Sequence, residues 1–152
     1  MRSALASLAL ALIARAASGQ GLSATELDVG SVATWARRDF YGASIGIARR
    51  PSGQGRAALS VAGGGSGGDA TLRIEATGQF LPLPGARTGV SPYAGLGVAY
   101  VGAHHYRGMG MLVVLVGVEA PEGRRDGWFV ELGLGGGVQA RAGYRWRRVA
   151  PF

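Results

Sequence analysis

Residues 70–80 read ATLRIEATGQF and change character at every position. One set of alternate residues is apolar or small, and it comprises Leu72, Ile74, Ala76, Gly78 and Phe80. The other set is polar, and it comprises Thr71, Arg73, Glu75, Thr77 and Gln79. A period of two is that of a β-strand whose side chains point to opposite faces. The segment therefore predicts a strand that lies between an apolar and a polar environment.

The same alternation recurs along the chain, between clusters of Gly, Pro, Ser and Asp that are typical of turns. Further strands are predicted at 27–35, 41–48, 56–63, 93–102, 112–119, 128–134 and 138–147. The run at 108–118, GMGMLVVLVGV, has eleven residues, the length of a tilted transmembrane strand. An even number of antiparallel strands lets the first pair with the last, which leaves no open edge. We therefore predict an all-β fold, an eight-stranded antiparallel up-and-down barrel.

The composition limits the class of protein. The 152 residues include 28 glycines and 25 alanines, and this length suits one domain. Without cysteine there is no disulfide, no thiolate metal site and no cysteine nucleophile. A charged fraction of 16% with a mean hydropathy of +0.17 argues against disorder. A secreted β protein and a membrane β protein remain.

The N-terminus has the pattern of a cleaved export signal. Arg2 precedes an apolar stretch at 4–14, and small-x-small cleavage patterns follow at 14–16 and 17–19. Eleven apolar residues are too few for a membrane-spanning helix, which needs about 20. We therefore predict a signal peptide at 1–19 and a barrel domain at 20–152, with cleavage after Ala16 or Gly19. The mature chain keeps 14 arginines against 9 acidic residues.

Periodicity alone does not show which face points inward. A soluble lipocalin-like barrel has its apolar face inside, whereas a membrane barrel turns that face to lipid. Charges of both signs on the polar faces favour a narrow lumen with an internal salt-bridge network, predicted at Arg73, Glu75, Glu131, Arg141 and Arg145. Aromatic residues near the strand ends favour interfacial girdles, predicted at Trp35, Tyr41, Phe80, Tyr100, Trp128, Tyr144 and Trp146. Both observations favour the membrane barrel.

Two segments resemble the small outer-membrane β-barrel proteins of Gram-negative bacteria, the group with the OmpA membrane domain, OmpX and OmpW. Residues 91–100, SPYAGLGVAY, look like the Pro-Tyr-x-Gly-x-Gly-x-x-Tyr strand of that group. The C-terminus looks like its assembly signal, carried by Gly143, Tyr144, Trp146 and the terminal Phe152. Arg148 and Pro151 depart from that pattern.

The resemblance implies a bacterial outer-membrane location with both termini in the periplasm. It also implies insertion by the barrel-assembly machinery and contact with outer-membrane lipid and lipopolysaccharide. The surface loops would then be 36–39, 63–69, 102–108 and 135–137, which are short for this class. We expect a monomer without cofactor or metal.

Eight strands enclose room for side chains or one small ligand, which argues against a general diffusion pore. We expect a non-enzymatic protein that contributes to membrane integrity or surface interaction. The alternatives are an OmpW-like carrier of small hydrophobic molecules, a lipid A-modifying barrel enzyme and a secreted lipocalin-like binder. The sequence names neither a biological role nor a ligand.

Some local motifs have both a functional and a plain interpretation. His104 and His105 could serve catalysis or bind a metal, but no serine or carboxylate is near them in sequence, so a solvated loop is favoured.

The GGGSGG segment at 63–68 lacks the Gly-Lys-Ser/Thr end of a phosphate-binding loop and predicts a flexible hairpin. The arginine doublets at 37–38, 49–50, 124–125 and 147–148 are predicted in turns or at a strand end, where arginine can reach lipid headgroups. Possible lipopolysaccharide contacts are Arg37, Arg38 and Arg107, and nucleic-acid binding is not expected.

Overall fold

The protein is a closed antiparallel barrel of eight strands in a computed structural model that describes residues 23–84, 86–103 and 105–149. The strands are β1 (Ala24–Trp35), β2 (Phe40–Ser52), β3 (Gly55–Ser66), β4 (Asp69–Phe80), β5 (Ser91–Ala103), β6 (Tyr106–Glu119), β7 (Asp126–Leu134) and β8 (Val138–Val149). The predicted fold and strand count are confirmed. Across these residues no helix is long and apolar enough to cross a membrane. The predicted signal peptide lies outside the described residues.

Every strand pairs with its neighbours in the sequence, and β1 also pairs with β8. That closing seam runs without a register shift from Ala24 opposite Val149 to Trp35 opposite Val138. Each backbone N–H and C=O along the seam therefore has a partner strand, and the sheet has no exposed edge. Closure also places both ends of the described chain at one end of the barrel, which we call the terminal end. The other end is the hairpin end.

The barrel is apolar outside and charged inside. Outward side chains include Leu72, Leu96, Leu112 and Leu132, and Leu112 is 78% exposed. Inward side chains include Arg56 and Arg145, each 1% exposed. A soluble protein would lose stability by exposing such a continuous apolar wall to water, whereas lipid makes it favourable. The barrel is therefore a transmembrane one, and the lipocalin-like alternative is wrong.

The hairpin end has very short connections. The structure corrects the predicted loops at 63–69 and 102–108, because the strands run on to Ser66 and Ala103. Between β3 and β4 the turn consists of Gly67 and Gly68, with φ of 59° and 91°. Only glycine adopts two such angles in succession without strain, which is why this hairpin can close in two residues.

The longer connections are at the terminal end, at 81–90 and 120–125. The amide of Gly123 donates to the carbonyl of Ala86 at 2.8 Å, which joins these two connections to each other. The amide of Leu81 donates to the carbonyl of Gln54 at 2.8 Å, and the Leu81 side chain is completely buried. The two connections therefore fold over the mouth of the barrel at this end.

Candidate functional site

The lumen holds six acidic and six basic side chains among the described residues, all of them buried. The acids are Glu26, Asp28, Glu75, Glu119, Glu122 and Glu131, and the bases are Arg50, Arg56, Arg73, Arg141, Arg145 and Arg147. Their formal charges cancel. A buried charge is tolerated when it is paired and hydrogen-bonded, and here the two signs are equal in number. The net positive charge of the mature chain therefore lies outside the lumen.

Arg145 on β8 is the centre of the network. Its Nη1 contacts Glu119 Oε2 directly. Its other guanidinium nitrogens lie 3.7 Å from carboxylate oxygens of Glu26, Asp28 and Glu131. Four carboxylates on three strands thus surround one cation, and burial is offset by attraction in a medium of low dielectric constant. Through these contacts Arg145 connects β8 to β1, β6 and β7 inside the lumen.

Arg56 on β3 crosses the lumen. Its Nη1 donates to both oxygens of Glu119, at 3.1 and 2.9 Å, and to Glu26 Oε2 at 3.0 Å. Its Nε donates to Gln79 Oε1 at 2.7 Å. Hydrogen bonds between ionised groups are shorter and stronger than neutral ones. The side chain therefore connects four strands, and the space between them is filled.

Two aromatic rings pack against the guanidinium groups. The Tyr93 ring lies 4.7 Å from the Arg56 Cζ and 5.9 Å from the Arg145 Cζ. The Phe129 ring lies 4.6 Å from the Arg145 Cζ and 5.2 Å from the Arg141 Cζ. The negative face of a ring attracts a cation, and more so without water. Tyr93 Oη also donates to Glu131 Oε1 at 2.7 Å, so the rings are fixed parts of the network.

Glu122 closes the terminal end. It lies in the 120–125 connection, buried, with Oε2 3.2 Å from Arg50 Nη1. Burial, the largest cause, raises the pKa of this carboxyl, Arg50 opposes that effect, and the nearby Glu119 adds to it, so the pKa rises to about 7. Glu122 therefore changes charge near neutral pH at the mouth of the barrel.

The hairpin end is more open. A cavity of about 490 Å³ lies there, and its lining includes Arg37, Arg38, Arg73, Phe40 and Met111. Arg73 also contacts Glu75 at 2.8 Å and Gly135 O at 3.4 Å. The volume is in the range of small-ligand sites, about 300–1,000 Å³. The lumen thus ends in a vestibule with a basic rim and a partly apolar wall.

The structure places all five residues of the predicted lumen network inside the barrel, in two groups. Glu131, Arg141 and Arg145 lie together, with Arg141 Nη1 3.6 Å from Glu131 Oε2. Arg73 and Glu75 pair with each other nearer the hairpin end, where Gln139 Nε2 is 3.5 Å from Glu75. Arg141 also contacts Asp28 directly.

Sequence reasoning missed much of the network. The members absent from the predicted network are Glu26, Asp28, Arg50, Arg56, Glu119, Glu122 and Arg147. The signal was present for Asp28, Glu119 and Arg147, because each lies on the polar face of a predicted strand. Glu122 lies in a connection and not in a strand. The alternation of polar and apolar residues therefore could not predict that its side chain enters the barrel.

The prediction that all arginine doublets lie in turns or at a strand end and reach headgroups is wrong for two members. Arg50 and Arg147 are buried inside, with Arg50 Nη2 2.7 Å from Glu26 Oε1. Their neighbours Arg49 and Arg148 are exposed outside. The reason is that β2 and β8 extend through these doublets, so consecutive residues alternate between the lumen and the outer wall.

The predicted girdle residues lie on the outer wall in two groups. Near the hairpin end are Trp35, Tyr41 and Tyr100, and near the terminal end are Phe80, Trp128, Tyr144 and Trp146. All seven are exposed. Of the possible lipopolysaccharide contacts, Arg37 and Arg38 are exposed in the connection between β1 and β2. Arg107 is the second residue of β6, and its side chain lies outside the described part.

The residues of the predicted assembly signal are on both faces of β8. Gly143 points inward, where a Cβ atom would come within 2.7 Å of Gly30 Cα on β1 and 2.9 Å of the Phe129 ring. Tyr144 and Trp146 point outward, and their rings meet edge to face at 5.2 Å. Phe152 lies outside the described residues.

The histidine pair is only partly described, because His104 lies outside the described residues. His105 Nδ1 is 3.2 Å from Asp69 Oδ1, although Asp69 is distant in sequence. The pairing of β3 with β4 and of β4 with β5 brings these hairpins together. The imidazole is largely exposed, at 73%. Among the described residues, no group of three His, Asp or Glu side chains is arranged to hold a metal ion.

Comparison with known proteins finds similarity in structure alone. No family model matches the chain, and no curated protein matches it. The N-terminal β-barrel domain of Pseudomonas aeruginosa OprF has a TM-score of 0.67 and 17% identity, over 84% of this chain and 98% of that one. The outer membrane protein OprG from Pseudomonas aeruginosa has a TM-score of 0.68 and 10% identity, over 87% and 99%.

Neisserial surface protein A has a TM-score of 0.59 and 12% identity, over 84% of this chain and 96% of that one. At these identities the likeness lies in the backbone path of the barrel. The chain therefore has the closed eight-stranded barrel fold of these membrane proteins.

Proposed function

We propose that this chain is a non-conducting, non-enzymatic barrel of the bacterial outer membrane that contributes to envelope integrity or surface interaction. The observation that carries the proposal is the lumen, in which buried ion pairs join non-adjacent strands across the interior. The apolar outer wall supports membrane insertion, and the shared fold with OprF, OprG and NspA supports this particular membrane. A barrel whose interior is filled with ion pairs suits a structural role in the membrane better than a transport role.

The proposed orientation puts both termini in the periplasm and the hairpin end at the cell surface. The surface would then expose short hairpins, and we expect Arg37, Arg38 and Arg107 to contact lipopolysaccharide phosphates there. Arginine suits that contact because its planar group matches two phosphate oxygens. The chain would act as a monomer, inserted by the barrel-assembly machinery.

Single-channel recording on the purified full chain in planar bilayers tests the proposal. We expect no discrete conductance steps, with a general porin as the positive control. A heat-dependent shift in gel mobility must accompany the recording, because it shows that the barrel was folded. Stable porin-sized steps from the folded protein would contradict a closed lumen.

A matching experiment in cells tests the role. A deletion strain should take up more of a hydrophobic dye than its parent, and the wild-type gene should restore the barrier. Unchanged dye uptake, together with unchanged binding of cells to host or phage surfaces, would contradict both forms of the proposed role.

The second candidate is a carrier of small hydrophobic molecules. The vestibule favours it, because Phe40, Val101, Met109 and Met111 contribute to its lining. Liposomes containing the folded chain would then take up a hydrophobic solute faster than empty liposomes. Equal rates would exclude this candidate and leave the first one standing.

A further inference from the structure

Three residues form one row on the outer wall at the terminal end. Thr25 on β1 is opposite Arg49 on β2 and opposite Arg148 on β8. All three side chains are exposed on the wall. Because residues opposite each other in an antiparallel sheet share a face, the two arginines flank the threonine hydroxyl. Neighbouring strands are about 4.8 Å apart, so the arginine Cα atoms are separated by about 10 Å, a span that two long side chains can close.

Within the described part of the chain, no carboxylate pairs with this row. All nine acidic residues of the chain lie in its described part, and neither Arg49 nor Arg148 forms an ion pair there. By register the nearest acid on the outer wall is Asp126, opposite Trp146 on β8. Asp126 accepts a hydrogen bond from Tyr144 instead. The row is therefore a local excess of positive charge beside a lipid-facing wall.

The next row toward the membrane centre is apolar. It consists of Ile47, Leu27 and Trp146, two residues further along the same three strands. Two residues of a strand tilted by about 40° rise roughly 5 Å along the bilayer normal, so the arginines lie on the headgroup side of the Trp146 ring. The basic row and the apolar row thus match the two parts of a phospholipid, its phosphate and its acyl chains.

We propose that Arg49, Thr25 and Arg148 form a binding site for the phosphate of an anionic phospholipid. Two guanidinium groups and a hydroxyl can donate to the phosphate oxygens, while the acyl chains lie along Ile47, Leu27 and Trp146. A headgroup that carries an ammonium group is disfavoured, because the site offers no acid to receive it. The site rests on the proposed orientation, in which the terminal end faces the phospholipid leaflet of the outer membrane.

Trp146 provides the reporter. A W35F/W128F variant leaves it as the only tryptophan, and bromine-labelled acyl chains quench its fluorescence on contact. The folded variant is placed in phosphatidylcholine vesicles that contain a minor fraction of brominated phosphatidylglycerol or of brominated phosphatidylcholine. We expect brominated phosphatidylglycerol to quench Trp146 more strongly than brominated phosphatidylcholine does, which shows a preference for the anionic lipid. This preference should be roughly five-fold weaker in R49Q, and weaker by the same factor again in R49Q/R148Q.

The matched control is R124Q/R125Q, which removes two exposed arginines from the 120–125 connection at the same end. It should leave the preference unchanged. Equal quenching by the two lipids, or a preference lost in the control but kept in R49Q/R148Q, would overturn the site. Quenching relieved by inorganic phosphate but not by chloride of equal ionic strength would assign the row to soluble phosphate and also overturn it.

The same samples separate this inference from the proposed function. A heat-dependent gel shift shows that each variant is a folded, inserted barrel. If the gel shift is absent, the proposal of a barrel in the outer membrane is contradicted. If the gel shift is present and the lipid preference is absent, only the proposal of a phospholipid site is contradicted.

Discussion

Arg56 on β3 and Glu119 on β6 join across the lumen, with Nη1 3.1 Å from Oε1 and 2.9 Å from Oε2. Their strands are separated by β4 and β5 in the sheet, so the pair bridges the interior instead of following the wall. If the lumen is closed as proposed, this pair is one of the contacts that a solute crossing the barrel would have to break.

Glu119 forms ion pairs with three arginines, namely Arg56, Arg145 and Arg147. Glu119→Leu leaves these buried cations short of negative charge, and we expect it to lower the free energy of unfolding by about 3–5 kcal/mol. Urea unfolding in vesicles, followed by tryptophan fluorescence, measures the loss. Asp69→Asn, an acid at the rim, is the control and should change stability by at most about 0.5 kcal/mol. Equal effects of the two variants would mean that the network adds nothing.

Two glycines of β6 offer a matched pair for the packing of the lumen. A Cβ atom at Gly117 would overlap the Tyr93 ring, which contacts the guanidinium groups of Arg56 and Arg145. Gly117→Ala should therefore cost about 1–3 kcal/mol of unfolding free energy. Gly110 has no atom nearer than 4.0 Å to its added Cβ, so Gly110→Ala should be nearly neutral. The same urea titration compares them, and a neutral Gly117→Ala would show that the Tyr93 ring can move.

The alternation of polarity predicted the barrel and its faces, because the side-chain period of a strand is fixed by the backbone. The same period misassigned Arg50 only because the predicted strand ended at residue 48, whereas β2 continues to Ser52. Contacts such as Arg56 with Glu119 could not be predicted, since they depend on how far each strand is staggered around the barrel. The short turn at Gly67 and Gly68 was also missed, because a glycine-rich run looks like a loop although its first residues pair with β4.

Glu122 should make the terminal-end cap sensitive to pH. Its folded pKa is raised from 4.5 to about 7, so between these values the native state holds a proton that the unfolded chain has lost. This group's contribution to the unfolding free energy therefore falls as pH rises from about 4.5 to 7. We expect the amide of Gly123, bonded to Ala86, to be better protected from hydrogen exchange at about pH 5 than at about pH 8, after correction for the intrinsic rate.

Glu122→Gln should remove that dependence, because the amide stays neutral throughout. Its Gly123 protection should be nearly the same at both pH values. A wild-type cap that is better protected at the higher pH would reverse the sign and show that the pair with Arg50 outweighs burial.

Asp69 and His105 give the molecule its one described carboxylate–imidazole pair, the arrangement that orients a catalytic histidine. A serine hydrolase also needs a nucleophilic hydroxyl within hydrogen-bond distance of the imidazole. Ser66, opposite Asp69 in the β3–β4 hairpin, is buried in the wall of the vestibule, whereas His105 is mostly in solvent. We therefore expect overexpression to leave the mass of lipid A unchanged, and His105→Ala to behave like wild type. Mass spectrometry of extracted lipid A measures this. The gain or loss of an acyl chain in wild-type cells that disappears in His105→Ala would establish an enzyme and overturn the proposed role.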